Sequence, residues 1–484
     1  MKILLINPPF DYFSPYLLTS EPLSLGYLAS YLRKYGHNIN IMDGVAGRIY
    51  KKGKLWHFGS NNLEISRKIK EFKPDIVGIT CTFSLRIDAT LNIAKLVKKI
   101  DKQIITIVGG IHPTIFPKET ISHPEVDYVV IGEGEESFLN LIRKIESGRI
   151  FSKMNIDGFA CKHNGFIELN YKTHFIQNLD SLPFPARDLL PMDFYLRKKT
   201  VLYGLGTKRA ASIITSRSCP MRCTFCSMHL SHGPKLRSRS VQNVFAELEE
   251  MVKKYHVEEV FFMDDNLTFE KERIVSLCQL ILRKKLQFRW NTPNGVRADK
   301  LDTKIVRMMK KAGCANICIG IESGSNKIRN EIIKKGLPDK EIHKALKACS
   351  KVNLPVVGFF ILGIPGETEE TFRETINMVK TIPLSMIATS FFTPFPGTAL
   401  YDDCVKNGYI NSDYWKKINN FNTPIVETPM FNRQTLRKWE KDIYKQFFMS
   451  HFLSLFLQTI TLKNEFLKWE MVKRFMADKF GVSL

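Results

Sequence analysis

The chain has 484 residues, 44% of them hydrophobic and 25% charged, with ten cysteines and a formal net charge of +23. That length suits two or three domains whose cores need no disulfide staples, and so few cysteines exclude a secreted disulfide scaffold and point to a reducing compartment. No run of about 18 apolar residues is present to span a membrane, and the short apolar start ends at Pro8 and Pro9, unlike a signal peptide, so the expected address is cytoplasmic, with membrane association left open.

In chain order, residues 2–7, 38–42, 75–80, 103–108 and 128–131 read as strands, and residues 23–35, 64–72, 89–100 and 135–145 as helices. Such alternation over residues 1–147 predicts a parallel sheet with helices on both faces. Residues 148–205 lose the rhythm, and the proline-rich stretch at 182–187 reads as a linker crossing between domains. Alternation resumes in residues 206–405, with strands at 211–215, 259–263, 287–291, 316–321, 356–362 and 386–391. Six strand–helix units predict a partial (β/α)6 barrel of the TIM type, with its chemistry at the carboxyl ends of the strands. Residues 406–484 read as a helical region. Its segment 447–457 is apolar on most faces and flanked by Lys438, Lys441, Lys445, Lys463, Lys468, Lys473 and Arg474. Two readings fit it: a helix packed over the barrel mouth, or one lying on a membrane surface.

The dispersed Lys and Arg residues reflect compositional bias or attract an acidic partner or anionic lipid, and no nucleic-acid partner is expected.

One cysteine group stands out. Cys219, Cys223 and Cys226 spell CxxxCxxC, with Phe225 just before the third cysteine, on the loop after the first strand of the second block. Three thiolates can bind three irons of a 4Fe–4S cubane and leave the fourth iron open, whereas ordinary electron-transfer clusters use four cysteines. A zinc site is the alternative, with His229 or His232 as fourth ligand. Cys314 and Cys318 have no further ligands nearby and read as core packing.

With these motifs the sequence resembles the radical S-adenosylmethionine (SAM) superfamily, specifically its branch with an N-terminal cobalamin-binding domain, over residues 1–405. The resemblance implies a flavodoxin-like fold for the first domain. It also implies a cluster that passes an electron to the SAM sulfonium, giving methionine and a 5′-deoxyadenosyl radical. An external electron donor of flavodoxin or ferredoxin type would supply that electron. No catalytic residue beyond the cluster ligands is indicated.

Strand-end segments similar to the family's supply the candidate SAM contacts, together with Phe225. Asp264 can accept from the SAM amino group, while its neighbours Asp265 and Asn266 can instead cap a helix. Arg297 can fork onto the SAM carboxylate or stand as a surface arginine. Glu322 can bind the ribose hydroxyls or pair with Arg297. Gly363 lies in the segment resembling the adenine-contact loop, where a plain turn is the alternative.

In the first domain the strand ends carry Asn7, Thr80, Ser84, Gly109, Gly110, His112, Thr114, Gly132, Glu133 and Gly134, the candidate cobalamin contacts. Such sheets bind ligands outside the carboxyl ends of their strands. Small residues let a flat corrin approach the backbone, and hydroxyls can bond its tail. The loop at Asp43 lacks the histidine of Asp-x-His-x-x-Gly, so cobalt would have no ligand there. For His112 a hydrogen bond is the expected role rather than cobalt coordination.

The reading that results is a cobalamin-dependent radical SAM enzyme that methylates an unactivated carbon of a substrate the sequence does not identify, with peptide, lipid, tetrapyrrole and small metabolite all open. A cyclase or rearranging enzyme with the same cofactors is the alternative. A non-catalytic sensor and an RNA methylthiolase fit less well, the latter because only Cys81 and Cys161 lie upstream of the motif.

Overall fold

The computed structural model describes residues 1–12, 20–53, 55–148, 155–163, 165–197, 209–411, 414 and 423–461, with backbone only at 163 and 452–461. Its strands in chain order are β1 (Lys2–Asn7), β2 (Phe10–Tyr12), β3 (Asn38–Asp43), β4 (Arg48–Lys52), β5 (Leu55–Gly59), β6 (Ile76–Thr80), β7 (Ile105–Gly109), β8 (Tyr128–Val130), β9 (Phe159–His163) and β10 (Phe166–Asn170). There follow β11 (Ala210–Ile213), β12 (Ser216–Arg217), β13 (Arg237–Ser238), β14 (Glu259–Phe262), β15 (Arg289–Val296), β16 (Cys314–Glu322), β17 (Val356–Leu362) and β18 (Met386–Phe391). Two compact units emerge. The first holds Met1–Lys198, Arg217–Cys219 and Ser227–Asn243; the second holds Lys199–Ser216, Pro220–Cys226 and Val244–Leu484.

The first unit is built on a sheet ordered β10-β9-β8-β7-β6-β1-β3. Strands β3, β1, β6, β7 and β8 are parallel, which in chain order is 2-1-3-4-5, the flavodoxin-like arrangement. Ile3, Leu4, Leu5 and Ile6 are fully buried, as both faces carry helices: Leu23–Lys34, Asn62–Phe72, Ile87–Ile100 and Gly134–Glu146. Helix Asn62–Phe72 starts in a capping box made by Asn61 and Glu64 and stops at left-handed Lys73.

Two parts of the first unit depart from expectation. Residues 148–205 are more than a linker: β9 and β10 are in this segment and extend the sheet antiparallel beyond β8. Their hairpin turns at Gly165, with φ +80°, and Phe166 and Ile167 are exposed. A half-wet edge hairpin has no continuous apolar run, so the sequence rhythm fades there. Residues 48–59 also carried no expected element, yet β4 and β5 form a hairpin that β2 joins to make a three-stranded sheet. Gly44, Gly47 and Gly59 let it approach: a Cβ on Gly59 would stand 1.6 Å from the Gly44 carbonyl oxygen.

The second unit is a six-stranded parallel sheet ordered β11-β14-β15-β16-β17-β18, a partial barrel. All six expected strands are present. The third runs on to Val296 through two register shifts, because irregular pairing carries the chain past Pro293 without ending the strand.

Helix Arg433–Thr461 buries Leu436, Trp439, Ile443, Tyr444, Phe447 and His451, one stripe of helical period. Trp439 stacks on Phe372 of helix Glu369–Thr381 at 4.7 Å. The hydroxyl of Tyr444 accepts from the Thr389 backbone N–H at 3.1 Å, covering part of the edge strand β18. Lys463, Lys468, Lys473 and Arg474 lie outside the described residues. Among the described residues no helix is long and apolar enough to cross a membrane.

Candidate active site

Seven of the ten cysteines are buried and only Cys219, Cys223 and Cys226 are partly exposed; none forms a disulfide. Burial pushes the Cys81, Cys278 and Cys349 thiols up to about 12, and Cys314 and Cys318 sit in the core as expected. The reachable thiols are thus the three of the motif. Thr224, between the second and third, is held from both sides. Its N–H donates to the Ile333 carbonyl at 2.9 Å and its hydroxyl to that of Ile332 at 2.8 Å, while its own carbonyl accepts from Leu400 at 3.1 Å. Cys226 N–H closes a turn onto the Cys223 carbonyl at 3.0 Å, with half-buried Phe225 inside that turn. Three soft thiols on one pinned loop are the donor set a cubane takes. Among the described residues no three His, Cys, Asp or Glu side chains converge on a single ion; in a cubane each thiolate takes its own iron, which asks for wider spacing.

The strand-end residues behave differently from one another. Asp264, beyond β14, is buried and accepts from the Thr215 N–H at 3.2 Å, the Thr215 hydroxyl at 2.6 Å and the Ser216 hydroxyl at 2.5 Å. Both its oxygens tie neighbouring strand ends together. Arg297 is buried rather than surface-exposed, and three of its five donors are engaged. Its Nε meets Asp299 at 2.9 Å, and its two Nη groups donate to the carbonyls of Lys335 at 2.8 Å and Gly336 at 3.1 Å.

Glu322 ends β16 at φ +69°, a left-handed conformation costly for a residue with a side chain and typical of functional sites. It pairs with Lys335 Nζ at 2.7 Å, not with Arg297. Gly320 makes the room: a Cβ there would stand 2.5 Å from Glu322 Oε1 and 3.1 Å from Lys335 Nζ. Residues 332–336 therefore hold the cysteine loop, the end of β15 and the end of β16 together. Lys335 escaped sequence reading, since nothing local marks a lysine as the partner of an acid 13 residues away. Gly363 turns at φ +86°. Its N–H and that of Ile364 donate to Glu367 Oε2 at 2.6 and 3.1 Å. Burial pushes the Glu367 carboxyl up to about 7, against the pull of those two amides.

In the first unit the parallel order brings the ends of β1, β6, β7 and β8 to one rim. Gly110, at φ +115°, lies so close to β6 that a Cβ would stand 2.6 Å from the Cys81 carbonyl, whereas one on Gly109 would meet nothing nearer than Val130 at 3.7 Å. His112 is fully buried, with Nδ1 2.9 Å from the Ser84 hydroxyl and Nε2 3.2 Å from Glu119, two side-chain partners where a bond to the cobalamin tail or to backbone was expected. Thr114 donates to the Gly110 carbonyl at 2.8 Å and accepts from Gly132 N–H at 2.9 Å. Thr80 is buried, and Asn7 bonds Asp43 at 2.7 Å and Arg86 at 3.0 Å. Gly134 opens the helix Gly134–Glu146. Val45, in the loop that lacks a histidine, is fully buried. Open backbone at Gly109 and the half-exposed ring of Phe83 fit a flat macrocycle laid on this rim, whereas a Cβ on Gly132 would meet Lys172 at 3.0 Å. Glu133 does not fit a corrin contact: both its oxygens are taken by Arg237, at 2.6 and 2.9 Å.

Residues 213–379 match the radical SAM superfamily model and residues 15–142 the B12 binding domain model. The class is thus a radical SAM enzyme with a cobalamin-binding domain. An uncharacterized methyltransferase of Pyrococcus horikoshii is 33% identical over 452 residues, covering 93% of each chain. The cytidylyl-2-hydroxyethylphosphonate methyltransferase of Streptomyces wedmorensis is 29% identical over 450 residues, covering 85% of this chain and 83% of its own. The radical SAM methyltransferase TsrM of Kitasatospora setae, solved with cobalamin and a [4Fe–4S] cluster, shares the fold at a TM-score of 0.67 and 16% identity, over 84% of this chain and 78% of that one. The chain belongs to the cobalamin-dependent radical SAM methyltransferase family. Its cofactors are a 4Fe–4S cluster, SAM and cobalamin, and it works with an external reductant and a substrate.

Proposed function

We propose that this enzyme methylates an unactivated carbon of its substrate, with the cysteine loop as the place of the iron–sulfur cluster and the rim of the first sheet as the place of cobalamin. The observation that carries the reading is the presence in one chain of a pinned three-thiol loop and a flavodoxin-order sheet whose strand ends suit a flat macrocycle. When bound, the cluster with SAM supplies a radical able to take hydrogen from an inert C–H bond, and cobalamin supplies the methyl group.

The chain's own residues hold and orient these groups. Cys219, Cys223 and Cys226 hold three irons and leave the fourth to SAM. Thr224 keeps that loop in place. Glu322, strained and paired with Lys335, would hold the ribose hydroxyls, and the Gly363 backbone would take the base. Asp264 and Arg297 act as positioning residues. Gly109 would offer its open backbone to the corrin, with Thr80, Ser84 and Thr114 as hydroxyls for its tail and Gly110 and Gly132 shaping the turns at the rim.

In this reading residues 1–147, with β9 and β10 added, form the cobalamin domain, residues 206–405 the radical SAM barrel and residues 406–484 the helical C-terminal region. The reductant is a small acidic protein of flavodoxin or ferredoxin type, which the net charge of +23 favours. The substrate is lipid-like or peptide rather than nucleic acid. The exposed Met449 beside basic residues of the last helix supports membrane-surface contact and a lipid-like substrate.

The test is anaerobic reconstitution with iron, sulfide, cobalamin, a reductant and SAM labelled in its methyl group, followed by mass spectrometry of treated cell extract. The expected result is a product heavier by one labelled CH2 unit, with 5′-deoxyadenosine and S-adenosylhomocysteine formed alongside. A product of altered hydrogen count without the label would identify ring formation or rearrangement instead.

A further inference from the structure

A group of buried charges in the first unit has no role in the reading above. Glu133 and Glu135 follow β8; Arg217, His232 and Arg237 lie on the segments just before and after the cysteine loop. Glu133 receives the fork of Arg237 at 2.6 and 2.9 Å, with Arg217 at 3.4 Å and His232 Nδ1 at 3.5 Å from the same carboxylate. Glu135 receives Arg217 at 2.5 Å. Arg237 also donates to the carbonyls of Ile176 and His232, at 2.7 and 2.6 Å. The Arg217 guanidinium lies over the Tyr27 ring and that of Arg237 over the Phe175 ring. Both acids and both arginines are buried.

Burial alone raises the Glu133 carboxyl, and the His232 and Arg237 hydrogen bonds with the Arg217 and Arg237 charges outweigh it, so the group stays ionised. Buried ion pairs are poor sources of net stability, since desolvation cancels most of the attraction. What a forked arginine–carboxylate pair adds is fixed geometry. Here that geometry falls on one object. Arg217 is two residues before Cys219. Between them Ser218 sits at φ +73°, its hydroxyl donating to the Gly233 carbonyl at 2.5 Å, so the incoming chain is bonded to the outgoing chain. Arg237 then anchors the outgoing chain. Arg217–Cys219 and Ser227–Asn243 belong to the first unit, although the turn of the loop itself belongs to the second.

We propose that Glu133 and Glu135 are positioning residues of the iron–sulfur loop: through Arg217 and Arg237 they set where its two ends are fixed, and they do not contact the corrin. The device ties the loop to the strand end that also forms the cobalamin rim. Small displacements of reacting groups cost large factors in rate, which gives a buried charge cluster a reason to exist there. The inference rests on the reading that the loop holds a cluster.

The test uses the full chain, reconstituted anaerobically. In Glu133→Gln the shape is kept and the charge lost. Expected are release of iron to a chelator about tenfold faster, on the scale of one charge-assisted hydrogen bond, and an altered EPR spectrum of the reduced cluster, with cobalamin bound per chain unchanged. A variant that loses cobalamin while its iron release and EPR spectrum match the parent would overturn the proposal. The double variant Glu135→Gln with Arg217→Gln leaves no unpaired buried charge and guards against a chain that does not fold. Its thermal midpoint should stay close to the parent's while iron release still accelerates; parental iron release in it would equally overturn the idea. An unsubstituted chain that takes up no iron would instead defeat the underlying reading, and the two failures are told apart by that control.

Discussion

At the scale of single residues, the chemistry depends on side chains whose partners are mostly distant in sequence. Glu322 and Lys335 depend on Gly320 for space. Gly320→Ala should therefore weaken SAM binding about tenfold, the loss of one charged hydrogen bond, with iron content unchanged; equilibrium dialysis with SAM against iron analysis checks it. Cys223→Ser should leave too few thiolates for a stable cubane and abolish 5′-deoxyadenosine formation, read by chromatography after reduction. Glu367 gives a pH prediction. Its carboxyl sits at about 7 in the folded chain against an ordinary 4.5. The folded chain then holds a proton that the unfolded chain releases, so stability falls as pH rises from about 4.5 to about 7 and levels off above. Glu367→Gln should remove that slope from a plot of thermal midpoint against pH. Of these residues the three cysteines were legible at once, because a loop of eight residues carries its own geometry. Lys335, Arg217 and Arg237 were not, because an ion pair is decided by where the chain returns.

At the scale of elements, the strands that the sequence announced most plainly are those buried along nearly their whole length, such as β1 and β6. Residues 3–6 and 356–362 read as apolar runs because each side of the sheet is covered. The hairpins β4–β5 and β9–β10 lie at wet edges, keep polar residues on one face, and depend on glycine turns, so their signal is faint. Helix Arg433–Thr461 is the element with the clearest energetic anchor. Trp439 is buried, stacks on Phe372 and donates its indole N–H to Glu369 at 2.9 Å. Trp439→Ala should cost about 3–5 kcal/mol by cavity formation, measurable in chemical unfolding of the purified chain. Nothing in the apolar run at 447–457 distinguished packing from a membrane face. The stripe from Leu436 to His451 packs one face of its first half against the barrel helices and the edge strand and leaves Met449 exposed on another.

At the scale of the whole molecule, the chain's two units are interleaved rather than sequential. Segments flanking the cysteine loop belong to the first unit, which a linear division at residue 205 does not capture. Cobalamin that binds only the folded first unit should stabilise it, by about 2.7 kcal/mol at a hundredfold excess over Kd; a rise in its melting temperature with added cobalamin checks this.

What the sequence determined by itself was whatever is local: the period of strand and helix, the spacing of three cysteines, the glycines at strand ends, the missing histidine after Asp43. From these came the fold class, the cofactors and the chemistry. Tertiary structure alone decided which acids are free and which are engaged. Asp264, Arg297 and Glu133 have the residue types of ligand contacts, yet burial without a partner is costly, and the fold supplied each with one from another part of the chain.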